Sequence, residues 1–188
     1  MNIVNLLKFN RHWNKGFRYQ FPKTRKFIKT LELHIGDRPV IELTGLRRLG
    51  KTTLFLQLIN TLLERKIEPQ NIWYFSFDED RYDLDELFFE FKTQTRVDIN
   101  SDKIYIFFDE IQKLKGFQSQ IKIYYDLYPN LKFFISGSTS LYIKKKTQKN
   151  LTKKIFSFEL KPLDFKKYLY FRNNDNYLKT IAIFDADE

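Results

Sequence analysis

The stretch Gly45-Leu-Arg-Arg-Leu-Gly50-Lys51-Thr52 constrains this chain more than any other. Pro39-Val-Ile-Glu-Leu-Thr44, ahead of it, reads as a short buried strand. Lys51 to Lys66, behind it, reads as a helix, because Leu54, Phe55, Leu58, Ile59, Leu62 and Leu63 recur at helical spacing. A strand that turns into a helix in this way aims backbone N–H groups and the positive end of a helix dipole at an anion. Gly45 and Gly50 let the backbone wrap closely where a side chain would block the anion. Lys51 can reach the β- and γ-phosphates of a nucleotide as a point charge, and Thr52 can offer its hydroxyl to Mg²⁺. The string matches G-x-x-x-x-G-K-[ST] without departure, in the strand–helix context the mechanism needs. A glycine-containing turn that binds nothing is the plain alternative, and this context disfavours it. Gly45, Leu46, Arg47, Arg48, Leu49, Gly50, Lys51, Thr52 and Thr53 are therefore the candidate phosphate-binding residues.

The rest of the chain alternates in the same manner. Ile72–Phe77, Lys103–Phe108, Leu131–Ile135 and Lys154–Leu160 read as strands. Leu84–Gln94 reads as a helix, and Phe117, Ile121, Tyr124 and Tyr128 mark another that ends before Pro129. Thr24–Ile35 reads as an amphipathic helix ahead of the first strand. Alternating strands and helices predict an α/β sandwich of three layers, with a mainly parallel sheet covered by helices on both faces. Lys103–Phe108 is nearly all apolar, as a strand covered on both faces should be.

That greasy strand ends in two adjacent acids, Asp109-Glu110, which packing does not explain. Asp109 can hold a Mg²⁺ shell, and Glu110 can polarise the water that attacks a γ-phosphate. Acids that merely begin a loop or cap a helix are the alternative. Ser136-Gly-Ser138-Thr-Ser follows the fourth strand, where loops at the carboxyl ends of parallel strands converge on a ligand. Ser138, or failing it Thr139, is the candidate γ-phosphate sensor, against a simple helix cap. Lys51, Glu110 and Ser138 form the candidate catalytic set, with Thr52 and Asp109 on the metal. Arg47 and Arg48 are open to three readings: nucleotide phosphates, a neighbouring subunit, or surface acids. Asp78-Glu-Asp-Arg81 reads as a solvated loop, with a place in the metal or water shell as the sharper alternative. His12 and His34 lack metal-ligand spacing. His12-Trp13 fits either an adenine pocket or core packing.

Composition narrows the partners. The chain has no cysteine, which excludes disulfides and thiolate zinc sites. No run of about 18 apolar residues is present, so no membrane span is expected, and no signal peptide is read. A cytoplasmic location is expected. The net charge of +10 favours polyanions, so nucleic acid is a candidate partner beside ATP and ADP. A lysine-rich solvated surface is the competing explanation, since the basic residues are scattered. Their denser clusters are Arg18–Lys29, Lys113–Lys115 and Lys144–Lys154.

The three site pieces together resemble the archaeal and bacterial AAA+ ATPases of the AAA-14 type. The resemblance also takes in Asn10-Arg-His-Trp13, Phe-Asp109-Glu110-Ile-Gln112-Lys and Phe158-Glu-Leu-Lys-Pro162-Leu-Asp-Phe165. It implies a P-loop NTPase sheet of five strands in the order 5-1-4-3-2, with the sensor strand between the two phosphate-site strands. It implies ATP with Mg²⁺, and an ATPase that hydrolyses ATP to ADP and phosphate. A weakly hydrolysing nucleotide-dependent switch or nucleic-acid-binding module is the alternative. The water-activating Glu110 and the sensor-like serine argue against a small-molecule kinase. Two places depart from the family. Lys153-Lys154 stands where Gly-Arg is usual, and the region after Phe165 is shorter than usual, as in a fragment of a longer ATPase. The expected organisation is an N-terminal segment and helix at 1–36, an ATPase core at 37–170 and a tail at 171–188. A homo-oligomer or a protein partner is a further candidate association.

Overall fold

A computed structural model describes residues 6–78, 82–138 and 154–172. Five parallel strands make one sheet: β1 (Val40–Thr44), β2 (Ile72–Ser76), β3 (Ile104–Asp109), β4 (Leu131–Gly137) and β5 (Ile155–Glu159). Their spatial order is β2-β3-β4-β1-β5, the expected 5-1-4-3-2 read from the other edge. β4 therefore runs between β1 and β3. Thr44 pairs with Gly137, and Phe108 with Ile135. The register thus brings the ends of β1, β3 and β4 to one place, where the strand order reverses and a ligand crevice opens.

β1, β3 and β4 are buried along their whole length, which explains why they read as unbroken apolar runs. Aromatic rings fill the layers beside them. Phe107 stacks on Phe134 at 4.6 Å, and Phe55 of α2 meets Phe107 edge-on at 5.4 Å. Helix α2 (Lys51–Glu64) runs back from the Gly45–Gly50 loop, with Leu54, Phe55, Leu58, Ile59, Leu62 and Leu63 inside. Helices α3 (Leu84–Thr95) and α4 (Phe117–Leu127) meet through Phe88 and Tyr124, stacked at 3.8 Å.

Helix α1 is shorter than expected. It covers Ile28–Leu33 only. The preceding residues are drawn into tertiary hydrogen bonds instead: Gln57 donates to the Lys23 carbonyl (3.2 Å), and Arg25 to the Lys161 carbonyl (3.1 Å). A further helix, α5 (Phe165–Phe171), begins where the Asp164 carboxylate caps the Lys167 N–H (2.8 Å).

The two edges of the sheet are treated differently. β2 is an edge strand, yet only Ser76 at its end is less than buried. The N-terminal segment covers it with side chains. Asn10 accepts from the Tyr74 N–H (2.7 Å) and donates to the Tyr74 carbonyl (3.0 Å). His12 Nε2 and Trp13 Nε1 both donate to the Ile72 carbonyl, at 3.0 and 2.9 Å. Because that carbonyl only accepts, Nε2 carries the imidazole proton and Nδ1 accepts from the Tyr19 hydroxyl (3.0 Å). Burial holds His12 down at about 4, so the ring is neutral. His12 and Trp13 thus close the starting end of β2, with His12 fully buried there. β5, by contrast, leaves Phe156, Ser157 and Glu159 exposed.

Candidate active site

Gly45 leaves β1 with φ +146°, and a Cβ there would stand 2.6 Å from the Leu160 carbonyl oxygen. Only glycine fits. Gly50, with φ +93°, turns the chain into α2. Leu46, Arg47 and Arg48 form the exposed crown of the loop, and Leu49 tucks partly into the core. Helix α2 opens with no acidic residue in its first turn and no side-chain cap. Its first N–H groups, at Lys51, Thr52 and Thr53, therefore lack intrahelical acceptors, and a helix end of this kind attracts an anion.

Lys51 is almost wholly buried. Its ammonium donates to the carbonyls of Gly45 and Leu46, each at 3.2 Å, and lies 3.6 Å from a Glu110 carboxylate oxygen. The lysine is folded back over the loop that it would share with a phosphate.

Asp109 ends β3 level with Ser76 of β2. Its carboxylate accepts from the hydroxyls of Thr52 and Ser136, and from Tyr74 at 3.2 Å. The next residue, Glu110, has left-handed backbone angles, φ 52° and ψ 41°, which cost a non-glycine residue about 1–3 kcal/mol. Its N–H is held by Asp109 Oδ1 (3.2 Å) and Ser136 Oγ (3.3 Å). That turn carries the Glu110 carboxylate away from Asp109 and across to Lys51. One Glu110 oxygen faces Lys51, and the other accepts from Gln112 Nε2 at 2.6 Å. Gln112 Nε2 also reaches Ser138 Oγ at 2.8 Å.

Lys51, Thr52, Asp109, Glu110 and Ser138 thus converge from β1–α2, β3 and β4. Hard oxygens from Thr52 and Asp109 suit Mg²⁺, which keeps waters and substrate phosphates as its other ligands. Among the described residues no group of three or more His, Asp or Glu side chains could hold a metal without such help. Thr139, the alternative sensor, lies outside the described residues, as do 79–81 and most of the Lys144–Lys154 cluster. Asp78 is exposed and pairs with Lys113 rather than with the site. Lys154 starts the chain into β5 at the opposite end of the sheet, where it pairs with Asp126. Ser136 and Gln112 lie in the stretches named above but without a role assigned to them, and Tyr74 carries no signal of its place at the site. A hydroxyl in a strand read as apolar, and an amide in a short turn, carry no periodic signal.

A groove of about 1080 Å³ is lined in part by Leu160, the neighbour of Gly45, and by no residue of the loop itself. Thr24–Phe27 and Thr30 form one wall, and Glu159–Asp164, Lys167, Tyr170 and Phe171 the other.

The fold and this convergence define a parallel α/β domain with a glycine-rich loop at the sheet's switch point. The AAA domain family matches residues 37–169, and the chain belongs to that family, within the AAA+ superfamily of nucleotide-binding ATPase domains. Its relatives include an uncharacterized protein of Methanocaldococcus jannaschii, MJ1637, 29% identical over 90% of this chain and 35% of that protein. An uncharacterized protein of Haemophilus influenzae is 27% identical over 74% of this chain and 35% of its own length. The chain spans about a third of the length of these relatives. Among solved structures, a chain of Drosophila ORC bound to DNA shares the fold with TM-score 0.54 and 11% identity, over 75% of this chain and 91% of that one. Saccharomyces cerevisiae RIF2 does so with TM-score 0.51 and 13% identity, over 81% and 60%. No helix among the described residues is long and apolar enough to cross a membrane.

Proposed function

We propose that this domain binds ATP with Mg²⁺ and hydrolyses it to ADP and phosphate. The observation that carries the reading is the joint placement of Lys51, Thr52, Asp109 and Glu110 around the uncapped start of α2. The loop N–H groups and Lys51 bind the β- and γ-phosphates. Thr52 and Asp109 hold Mg²⁺, whose charge stabilises the phosphoryl oxygens during transfer. Glu110 accepts a proton from the attacking water, and Ser138 donates to the γ-phosphate. The groove between Thr24–Thr30 and Leu160–Leu163 takes the base, since Leu160 adjoins Gly45.

Phosphate release and nucleotide binding together test this. Lys51→Ala should weaken ATP affinity severely. Glu110→Gln should keep ATP·Mg²⁺ binding and lower turnover by roughly 10²-fold or more. Calorimetry that finds equal ATP affinity in Lys51→Ala and wild type sinks the phosphate-loop assignment. The engagement of both Glu110 oxygens favours a second reading, a nucleotide-dependent switch with little turnover. Tight ATP binding without phosphate release, with or without DNA, would select it.

A further inference from the structure

The strands of a parallel sheet all start at one end, and in this sheet that end is basic. Lys103 stands just before β3, Lys132 is the second residue of β4, Arg38 lies two residues before β1, and Lys154 stands just before β5. Because β3, β4, β1 and β5 are neighbours in that order, the four cations form a row. At about 4.8 Å per strand the row is about 14 Å long. Helix α2 runs back to the same end, where Arg65 caps it and acts electrostatically on Tyr105 of β3. Lys51 lies at the opposite end of that helix.

These cations are crowded rather than paired. The Arg38 guanidinium and the Lys154 ammonium stand 4.9 and 5.0 Å from the centre of one ring, Tyr125. Lys132 is fully buried, and its ammonium donates to two neutral groups, the carbonyls of Asp37 (2.5 Å) and Pro39 (2.6 Å). Burial, opposed by Asp37 and aided by Lys103, pulls Lys132 down to about 8. Partial burial and then Arg38 lower the Lys103 pKa as well. The acids at this end are already engaged. Asp37 accepts from His34 at 2.7 Å, Asp102 from the Asp98 N–H at 2.9 Å, and Asp126 holds Lys122 and Lys154. Among the described residues no acid pairs with Arg38, Lys103 or Arg65, and all three are exposed. A buried ammonium with no carboxylate on it, set beneath exposed cations, is electrostatically unfavourable, and an anion laid along the row relieves it.

We propose that the starting end of the sheet is a nucleic-acid surface, where Arg38, Lys103 and Arg65 contact successive backbone phosphates above the buried charge of Lys132. The length of the row argues for a polyanion. At 3.4 Å per nucleotide of one strand, about 14 Å covers about four phosphates, more than a lone phosphate ion presents. Contacts of this kind hold a backbone without reading its bases. The surface uses no residue of the ATP site and none of Lys144–Lys146.

Fluorescence anisotropy with a labelled DNA duplex at several salt concentrations tests the surface. The double variant Lys103→Gln/Arg65→Gln removes two exposed charges that no described acid pairs with. Its slope of log affinity against log salt should be flatter than that of wild type by about 1.8, the worth of two phosphate contacts. Lys103→Arg/Arg65→Lys keeps both charges and should keep the wild-type slope. An unchanged slope in the glutamine variant, or equal loss in the charge-conserving one, overturns the proposal. So does wild type that binds no DNA at low salt, or that binds vesicles of anionic phospholipid and not DNA. A second measurement uses the wild-type chain alone and so does not depend on the variants folding. On adding DNA, the backbone amide resonances of Arg38, Arg65 and Lys103 should shift, and those of Lys51 and Thr52 should stay. The reverse pattern, or shifts at neither end, removes the nucleic acid from this end of the sheet.

Discussion

The Asn10 side chain occupies both backbone hydrogen-bonding positions of Tyr74, taking its N–H at 2.7 Å and giving to its carbonyl at 3.0 Å. One amide side chain does for β2 what a neighbouring strand would do. An edge left open in this way is a template for unwanted pairing, and here it is shut by the segment that precedes the sheet. Asn10→Leu removes both hydrogen bonds to the Tyr74 backbone, at about 1–3 kcal/mol for each. The expected loss is about 2–6 kcal/mol, or roughly 4–24 °C in Tm at this chain length. Asn10→Asp keeps the acceptor but sets a carboxylate against the Tyr74 carbonyl, so it should not restore stability. Thermal unfolding of both variants checks this, and a Tm within a degree of wild type in either contradicts it.

Asp109→Asn should alter the metal requirement rather than the water. The hydroxyls of Thr52 and Ser136 donate to the two oxygens of this carboxylate, so an amide there removes charge and turns a donor toward one of these donors. A titration of ATP binding against Mg²⁺ should show the midpoint moving to higher Mg²⁺ by about tenfold or more, the scale of losing one charged ligand. Glu110→Gln should leave that midpoint in place. Coincident Mg²⁺ curves for Asp109→Asn and wild type would remove Asp109 from the metal.

His12 makes folding sensitive to mild acid. Its folded pKa of about 4 lies below the ordinary 6.5, so between these values the unfolded chain binds a proton that the folded chain does not. This contribution is constant above about pH 6.5 and is lost as pH falls toward 4, by at most about 3 kcal/mol at 1.36 kcal/mol per unit. Other carboxylates titrate in the same range, so the signal is a difference. Urea unfolding at several pH values should give a flatter dependence for His12→Gln than for wild type. Parallel curves would assign the acid sensitivity elsewhere.

Nucleic acid binding remains a proposal from charge. The net charge of +10 supports it, although in the described residues Lys113 and Lys154 are engaged by Asp78 and Asp126. If Lys144–Lys146 meet phosphates, DNA affinity should fall steeply with salt, by about one counterion per neutralised phosphate. Replacing Lys144, Lys145 and Lys146 with Gln should flatten that slope by about three and spare ATP binding. An unchanged slope, or no DNA binding at low salt, leaves the charge without a nucleic-acid role.

Phosphate chemistry writes itself into sequence because few residue types can do it. Only glycine fits at position 45, a buried lysine at 51 faces the acid at 110, and an apolar strand ending in two acids stands out in the sequence. Parallel strands were legible for a related reason, since burial on both faces demands continuous apolar runs. The Asn10–Tyr74 contact spans 64 residues and joins a side chain to a backbone, so no local pattern announces it. The shortening of α1 has the same origin: Gln57 and the Lys161 carbonyl, both distant in sequence, hold Lys23–Arg25 out of the helix. Helix α5 was not expected from the sequence, since its 7 residues are too few to display a helical period.

The tight approach of Gly45 to Leu160 has a mechanical consequence. The Leu160 N–H is bonded to the Thr44 carbonyl at 2.8 Å, and its own carbonyl fills the space beside Gly45. Thr44 Oγ1 adds a bond to the Phe158 carbonyl at 3.3 Å. The chain leaving β5 is therefore bolted to the root of the phosphate loop at several points with no slack between them. Downstream of this joint, Pro162 and α5 form the far wall of the groove. Any displacement of α5 relative to the sheet has to be taken up beyond Leu160, because Leu160 itself is held to Thr44.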